Sequence, residues 1–252
     1  MTNASDYAFL HGGGQGSWVW DETLAALSQQ TGGAFGRAIA LDAPGCGRKR
    51  SREVTKLSSA DVAAELVSEL SQSGLKDIVL VGHSNAGTIL PRMVEMRPDL
   101  FRRVVYVTCI APLFGQSILQ LMGTGRQGSN AHEVGWPFDP GATPQAPERF
   151  RLMFCNDMSQ SQSASFLARL GQDQWPTQAA LHETDWRYEH LGRVPSTYVV
   201  CLKDRTLPMA WQETFAARFK VQRTVRIDAG HQVMNTRPRA LAEILRHEAT
   251  LD

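Results

Sequence analysis

Six short runs rich in β-branched and aromatic residues punctuate this chain: YAFL (7–10), RAIALD (37–42), DIVLVG (77–82), RVVYVTCI (103–110), STYVVCL (196–202) and RTVRID (223–228). Each is almost continuously apolar instead of alternating, the pattern of a strand covered on both faces. Between them lie stretches of helical spacing, DETLAALSQQ (21–30), SADVAAELVSELSQSG (59–74), GTILPRMVEMRPD (87–99) and RALAEILRHEA (239–249). Strand alternating with helix predicts an α/β chain with a mostly parallel, doubly wound sheet of about six strands.

The alternation stops after Ile110 and resumes near Ser196. The residues between are rich in Gly, Pro, Gln, Ser, Trp and Met, and they are too many for a plain loop in a compact domain. Helix-like pieces, ERFRLMFCND (148–157) and SASFLARL (163–170), are separated by breakers such as GWPFDPGATPQAP. This predicts an inserted, largely helical cap over residues 113–193, flanked by a first core part at 1–112 and a second at 194–252. No internal repeat is visible, and 252 residues with 42% apolar content suffice for one substantial core.

Charge is balanced, 26 Lys and Arg against 25 Asp and Glu, so no field of one sign exists to draw nucleic acid or an anionic membrane. The one basic run, RKRSR at 48–52, reads as a solvated surface. A small-molecule substrate is the partner expected, with neither nucleic acid nor membrane; a homodimer stays open. Four cysteines, at 46, 109, 155 and 201, show neither C-x-x-C spacing nor disulfide density and read as buried free thiols of a reducing compartment. The first residues, MTNASDYAFL, lack the basic and apolar parts of a signal peptide, and no run is long enough to span a bilayer, which points to the cytoplasm. The seven histidines are scattered without metal-ligand spacing, so neither metal nor cofactor is expected.

The segment that can carry chemistry is Gly82-His83-Ser84-Asn85-Ala86-Gly87, placed between the strand IVLV and a helix. Strand, tight turn and helix make up the context of a nucleophile elbow, and small flanking residues are needed because the turn leaves no room for larger ones. Ala86 stands where the usual pattern has its second Gly. As an ordinary helix cap, Ser84 would need no partners elsewhere. As a nucleophile it needs a base, and the base needs a carboxylate. Both are supplied at the next strand ends: Asp204 follows STYVVCL, and His231 follows RTVRID, in the order Ser, acid, His. Asp228 is a second candidate acid, but it lies too close to His231 on one turn to approach the imidazole from behind.

The glycine loop LHGGGQGSWVW (10–20) after the first strand can bring backbone N–H groups to a developing oxyanion. With the Asn85 N–H, Gly13 is the expected second donor, and Gly12 or Gly14 are alternatives. A phosphate-cradling role would require a spacing and a Lys that this loop lacks. His83 is expected to pack behind the elbow.

Taken in order, HGGGQGSWVW, LDAPGCGRKRS, VGHSNAG, VCLKDRTLP and DAGHQVMNTRP resemble the motifs of the α/β-hydrolase superfamily over nearly all of the chain outside the cap. In detail they are similar to its compact branch of plant methylesterases, hydroxynitrile lyases and bacterial carboxylesterases. The resemblance implies a Ser-His-Asp hydrolase with a cap-covered pocket. Lyases of that branch carry Lys directly after the base, where Gln232 stands here, and relatives with an Asp nucleophile are excluded by Ser84. The expected activity is therefore cleavage of a small hydrophobic or aromatic carboxylic ester through an acyl-enzyme. Carbamate or amide hydrolysis shares the geometry; a lyase, a cofactor-independent dioxygenase or a receptor-like ligand binder are the non-hydrolytic alternatives. The cap supplies Trp136, Phe138, Met153, Phe154, Met158, Phe166, Trp175 and Trp186, most of them needed simply for packing. Gly12, Trp18, Trp136, Phe154, Met158, Trp186 and Gln232 are the pocket candidates, with Trp20 a weaker one.

Overall fold

The computed structural model describes residues 5–30, 36–142 and 145–251. The first four residues of the N-terminal reading and residues 143–144 of the breaker segment lie outside the described residues. Among the described residues six strands form one sheet: β1 (Tyr7–Leu10), β2 (Ala38–Leu41), β3 (Ile78–His83), β4 (Phe101–Val107), β5 (Ser196–Cys201) and β6 (Arg223–Ile227). Their spatial order is β2-β1-β3-β4-β5-β6, and every neighbouring pair runs parallel.

Successive residues of a strand face opposite sides, and the core divides accordingly. Ile78, Leu80, Val104, Tyr106, Tyr198 and Val200 belong to one apolar cluster, and Val79, Val81, Val105, Val107, Val199 and Cys201 to the other. This two-sided cover is why the strands read as unbroken apolar runs, and each fully buried aliphatic side chain contributes about 1.5–3 kcal/mol. Helices α1 (Asp21–Gln30) and α10 (Pro238–Glu248) cover the second face, through Leu27, Leu241 and Leu245. On the first face lie α2 (Ser59–Ser73), α3 (Leu90–Met96) and α8 (Met209–Arg218), through Leu66, Met93 and Phe215. A reciprocal Ser58–Asp61 capping box starts α2, and Gly74 in the left-handed conformation ends it.

Between β4 and β5 stand α4 (Ile118–Met122), α5 (Ala146–Phe154), α6 (Gln160–Arg169) and α7 (Thr177–Leu181); the short α9 (Val233–Thr236) follows β6. The inserted segment reaches the loops after the strands at discrete points. The fully buried Asp173 carboxylate accepts from Trp18 Nε1 (3.1 Å), Gly47 N (2.8 Å) and Arg50 Nη2 (3.2 Å). Thr206 Oγ1 donates to Met153 O (2.5 Å), and Gly230 N to Asp157 Oδ2 (2.7 Å).

The basic run at 48–52 is a largely exposed surface, as expected, but it is also ion-paired. Arg48 bonds the buried Asp42 (2.7 Å), Lys49 pairs with Glu65 (2.9 Å) and Glu69, and Arg50 reaches Asp173, so the run ties the loop after β2 to α2 and to the inserted segment. The four cysteines are free and buried. Among the described residues no helix is long and apolar enough to cross a membrane.

Candidate active site

Ser84 directly follows β3, a strand flanked on both sides, with φ +53°. A left-handed backbone at a non-glycine residue costs about 1–3 kcal/mol and persists only where its surroundings hold it. Here they do. Ser84 O accepts from Ile110 N (3.1 Å), and the turn is squeezed between the strand ends. A Cβ on Gly87 would stand 2.2 Å from the carbonyl oxygen of Ile110, and one on Gly82 would stand 2.5 Å from Leu90 Cδ2 and 3.0 Å from Ala86 Cβ. Ala86 therefore fits because Gly82 has no side chain, and Gly87 is the position with no room at all. The helix expected over 87–99 begins instead as a tighter 3₁₀ turn, Ser84–Thr88, which opens into α3.

The three residues proposed from strand-end positions meet. His231 Nε2 lies 3.0 Å from Ser84 Oγ, and His231 Nδ1 lies 2.6 Å from Asp204 Oδ2. Both the imidazole and the carboxylate are fully buried, while Ser84 is partly exposed, so the hydroxyl is the end of the row that solvent or a ligand can reach. Asp204 Oδ1 accepts from Thr206 N (2.8 Å) and Leu207 N (2.9 Å), and Oδ2 accepts a second bond from Thr108 Oγ1 (2.6 Å). Asp228, the other acid considered, is exposed and pairs with Lys203 Nζ (2.7 Å) instead.

Thr108 was not singled out in the sequence. It is the residue after β4, with φ +39°, and a polar side chain closing the run VVYV at a strand end next to β5 is the one signal that marks it.

The loop after β1 lies against the elbow. A Cβ on Gly12 would be 3.0 Å from Ser84 Cβ, and one on Gly13 would be 3.4 Å from Asn85 Nδ2. His11 aims this loop: Ala43 N donates to its Nε2 (3.1 Å), so Nδ1 carries the proton and donates to Gly12 O (2.7 Å). With a trans peptide, a Gly12 carbonyl turned toward His11 turns the Gly13 N–H the other way. Burial holds the His11 imidazole below the usual histidine range, and burial followed by the neighbouring His231 holds His83 well below it.

The pocket candidates divide. Phe154 lies with its ring 5.6 Å from His231, and a row of rings continues through Phe166 (6.1 Å) to Trp18 (5.7 Å). Trp18 and Met158 line a hollow of about 300 Å³ between α6, the start of α1 and Asn235. Trp186 lines a separate hollow of about 130 Å³ with Gly87 and Thr88, donates its N–H to Gln116 O (2.6 Å) and lies under Arg92. Neither of these two hollows is lined by Ser84. Trp136 donates to Gly123 O (2.9 Å) and packs on Phe138 within the inserted segment. Trp20 is fully buried against Phe9, so it is a core residue. Gln232 is fully buried, and neither atom of its amide has a partner. Among the described residues no group of three or more His, Cys, Asp or Glu could hold a metal ion.

The pattern of the alpha/beta hydrolase family matches residues 8–244, from β1 into α10. The chain belongs to that family. As an alpha/beta hydrolase it is similar to methylesterase 3 of Arabidopsis thaliana, 24% identical over 250 residues that cover 94% of this chain and 92% of the relative. It is 22% identical over 249 residues to putative methylesterase 11, chloroplastic, of the same plant; the match covers 95% of this chain and 62% of that longer relative. Among solved structures, a pyrethroid hydrolase from Sphingobium faniae superposes with a TM-score of 0.76 at 18% identity, covering 98% of this chain and 97% of that one. At that identity the likeness is one of fold.

Proposed function

We propose that this alpha/beta hydrolase is a serine esterase that cleaves small hydrophobic or aromatic carboxylic esters through an acyl-enzyme. The observation that carries the reading is the single imidazole bridging Ser84 Oγ and the Asp204 carboxylate at hydrogen-bond distance on both sides. Asp204 holds the Nδ1–H tautomer of His231, leaving Nε2 free to take the Ser84 proton. The serine oxygen then attacks the ester carbonyl, and the carbonyl oxygen, now negative, accepts from the backbone N–H groups of Asn85 and Gly13. Collapse of this intermediate expels the alcohol, which leaves with the proton held on His231. Water repeats the sequence on the acyl group, with His231 again as base, and the carboxylic acid departs with Ser84 restored.

The naming of methylesterases among the relatives supports an ester over other acyl substrates. The aromatic row from Phe154 to Trp18 supports an apolar group on one side of the scissile bond. In keeping with its position, the segment containing α4–α7 is read as the cap that shapes this side.

A panel of p-nitrophenyl and methyl esters, carbamates and amides, run on the wild type and on Ser84→Ala, tests the reading. Ester turnover that vanishes in the variant is expected. Ligand binding without turnover, or turnover that survives the substitution, would refute it.

A further inference from the structure

Ser84 has a second histidine beside it that the scheme above leaves unused. His83 ends β3, is fully buried, and its Nε2 lies 2.9 Å from the backbone carbonyl oxygen of His231. A carbonyl only accepts, so Nε2 carries the proton and donates. The remaining nitrogen, Nδ1, has no hydrogen-bond partner and faces Gly12, where a Cβ would come within 3.0 Å. The two imidazoles lie 4.7 Å apart, and Trp20 meets His83 edge-on.

We infer that His83 is a positioning residue: its Nε2–H clamps the backbone of His231 to the nucleophile elbow and keeps the base in place when Ser84 cannot. The inference rests on the esterase reading. His231 follows β6, and two strands separate β6 from β3, so the sheet itself does not join the two loops. Across that gap the elbow and His231 share two hydrogen bonds, one through Ser84 Oγ and one through His83 Nε2. Acylation removes the first, because the serine oxygen becomes the ester oxygen and loses its proton. Asp204 still holds the far side of the imidazole, but of the two bonds to the elbow only the one to the His231 backbone is then left to keep Nε2 facing the acyl group, where water must be deprotonated. Positioning errors of about 1 Å cost about a hundredfold in rate.

The sequence placed His83 behind the elbow, where it is; its donor role depends on a residue 148 positions away and leaves no local pattern. Burial and the neighbouring His231 keep His83 neutral, the form with one donor and one bare nitrogen that the geometry requires.

The test compares His83→Phe, which keeps a ring and removes the donor, with His83→Gln, which keeps a donor and removes the ring. Pre-steady-state release of p-nitrophenol separates acylation, the burst, from deacylation, the steady rate. In His83→Phe the steady rate is expected to fall about tenfold or more while the burst changes less, so that acyl-enzyme accumulates and is detected as a mass adduct on Ser84. His83→Gln recovers most of the loss. Equal falls of burst and steady rate, or equal damage in both variants, would overturn the inference. A further readout needs no variant to fold beyond assignment: ¹⁵N histidine spectra of the wild type must show His83 as the Nε2–H tautomer, and the Nδ1–H tautomer would exclude it. A wild type without Ser84-dependent turnover would sink the esterase reading itself, before any His83 variant is compared.

Discussion

The edge of the sheet and the inserted segment above it are built by different means. At the edge, Ser84, Asp204 and His231 stand on loops whose ends are fixed by parallel strands, and they form one row bonded at 2.6–3.0 Å, in which the Asp204 carboxylate alone accepts four bonds. Among the described residues the segment between β4 and β5 has four short helices; polar anchors join it to the sheet, Met153 and Asp157 at the loops after β5 and β6 and Asp173 at those after β1 and β2. Regular structure thus fixes the proposed reacting groups, while polar anchors and apolar packing of side chains such as Phe154, Phe166 and Trp175 fix what lies over them.

The sharpest way to break that comparison is Ser84→Ala. It should lower kcat by about 10⁴-fold or more with little change in thermal unfolding, and His231→Ala added to it should cost little further. Loss of folding on the same scale would mean that chemistry and scaffold are not separable here.

Next in size is a pH effect confined to the core. The depressed histidines His11 and His83 are both fully buried in the core. Below about pH 6.5 they take up protons in the unfolded chain but not in the folded one, so stability falls as pH falls, by up to about 2.7 kcal/mol for the pair per pH unit. Urea midpoints at pH 7.0 and 5.5 measure this, and His83→Gln should flatten the slope. A slope unchanged in the variant would place the titration elsewhere.

Gly87→Ala pushes a methyl group onto the Ile110 carbonyl and should cost about 1–3 kcal/mol, read as a lowered thermal midpoint. The smallest change is expected from the inserted segment. Asp173→Ala removes the acceptor shared by Trp18, Gly47 and Arg50, and should raise KM severalfold while kcat stays near wild type. A fall in kcat with KM unchanged would show that this anchor also sets the reacting groups.

What could be read beforehand follows the same division. The inner strands were legible because two-sided cover leaves no polar face to interrupt them, though β4 begins earlier, at Phe101, where Arg102 and Arg103 break the apolar run; β6, an edge strand, is mostly exposed and was legible from its β-branched residues instead. Helix α8 was not legible. Gln212 sits fully buried in its middle, accepting from Cys201 N and donating to the carbonyls of Cys201 and Leu207, and this spoils the apolar stripe that would have announced it. Helices α4 and α7 have five residues each, too few for a period to show. In the site, Ser84, Asp204 and His231 were legible because strand ends expose them in a fixed order. Thr108, His11 and Asp157 were not, since each acts through one long-range bond that any polar residue in a loop could make.

Asp157 carries a consequence for anyone who would exchange these upper segments between relatives. Its carboxylate holds the Gly230 N–H, and with Asn156 it fills the space that a side chain at 230 would need, one residue before His231. A chimera whose foreign stretch replaced residues 155–157 would, in the same cut, lose the bond that steadies the chain just before the imidazole. The seam of such a transplant belongs on the far side of Met158.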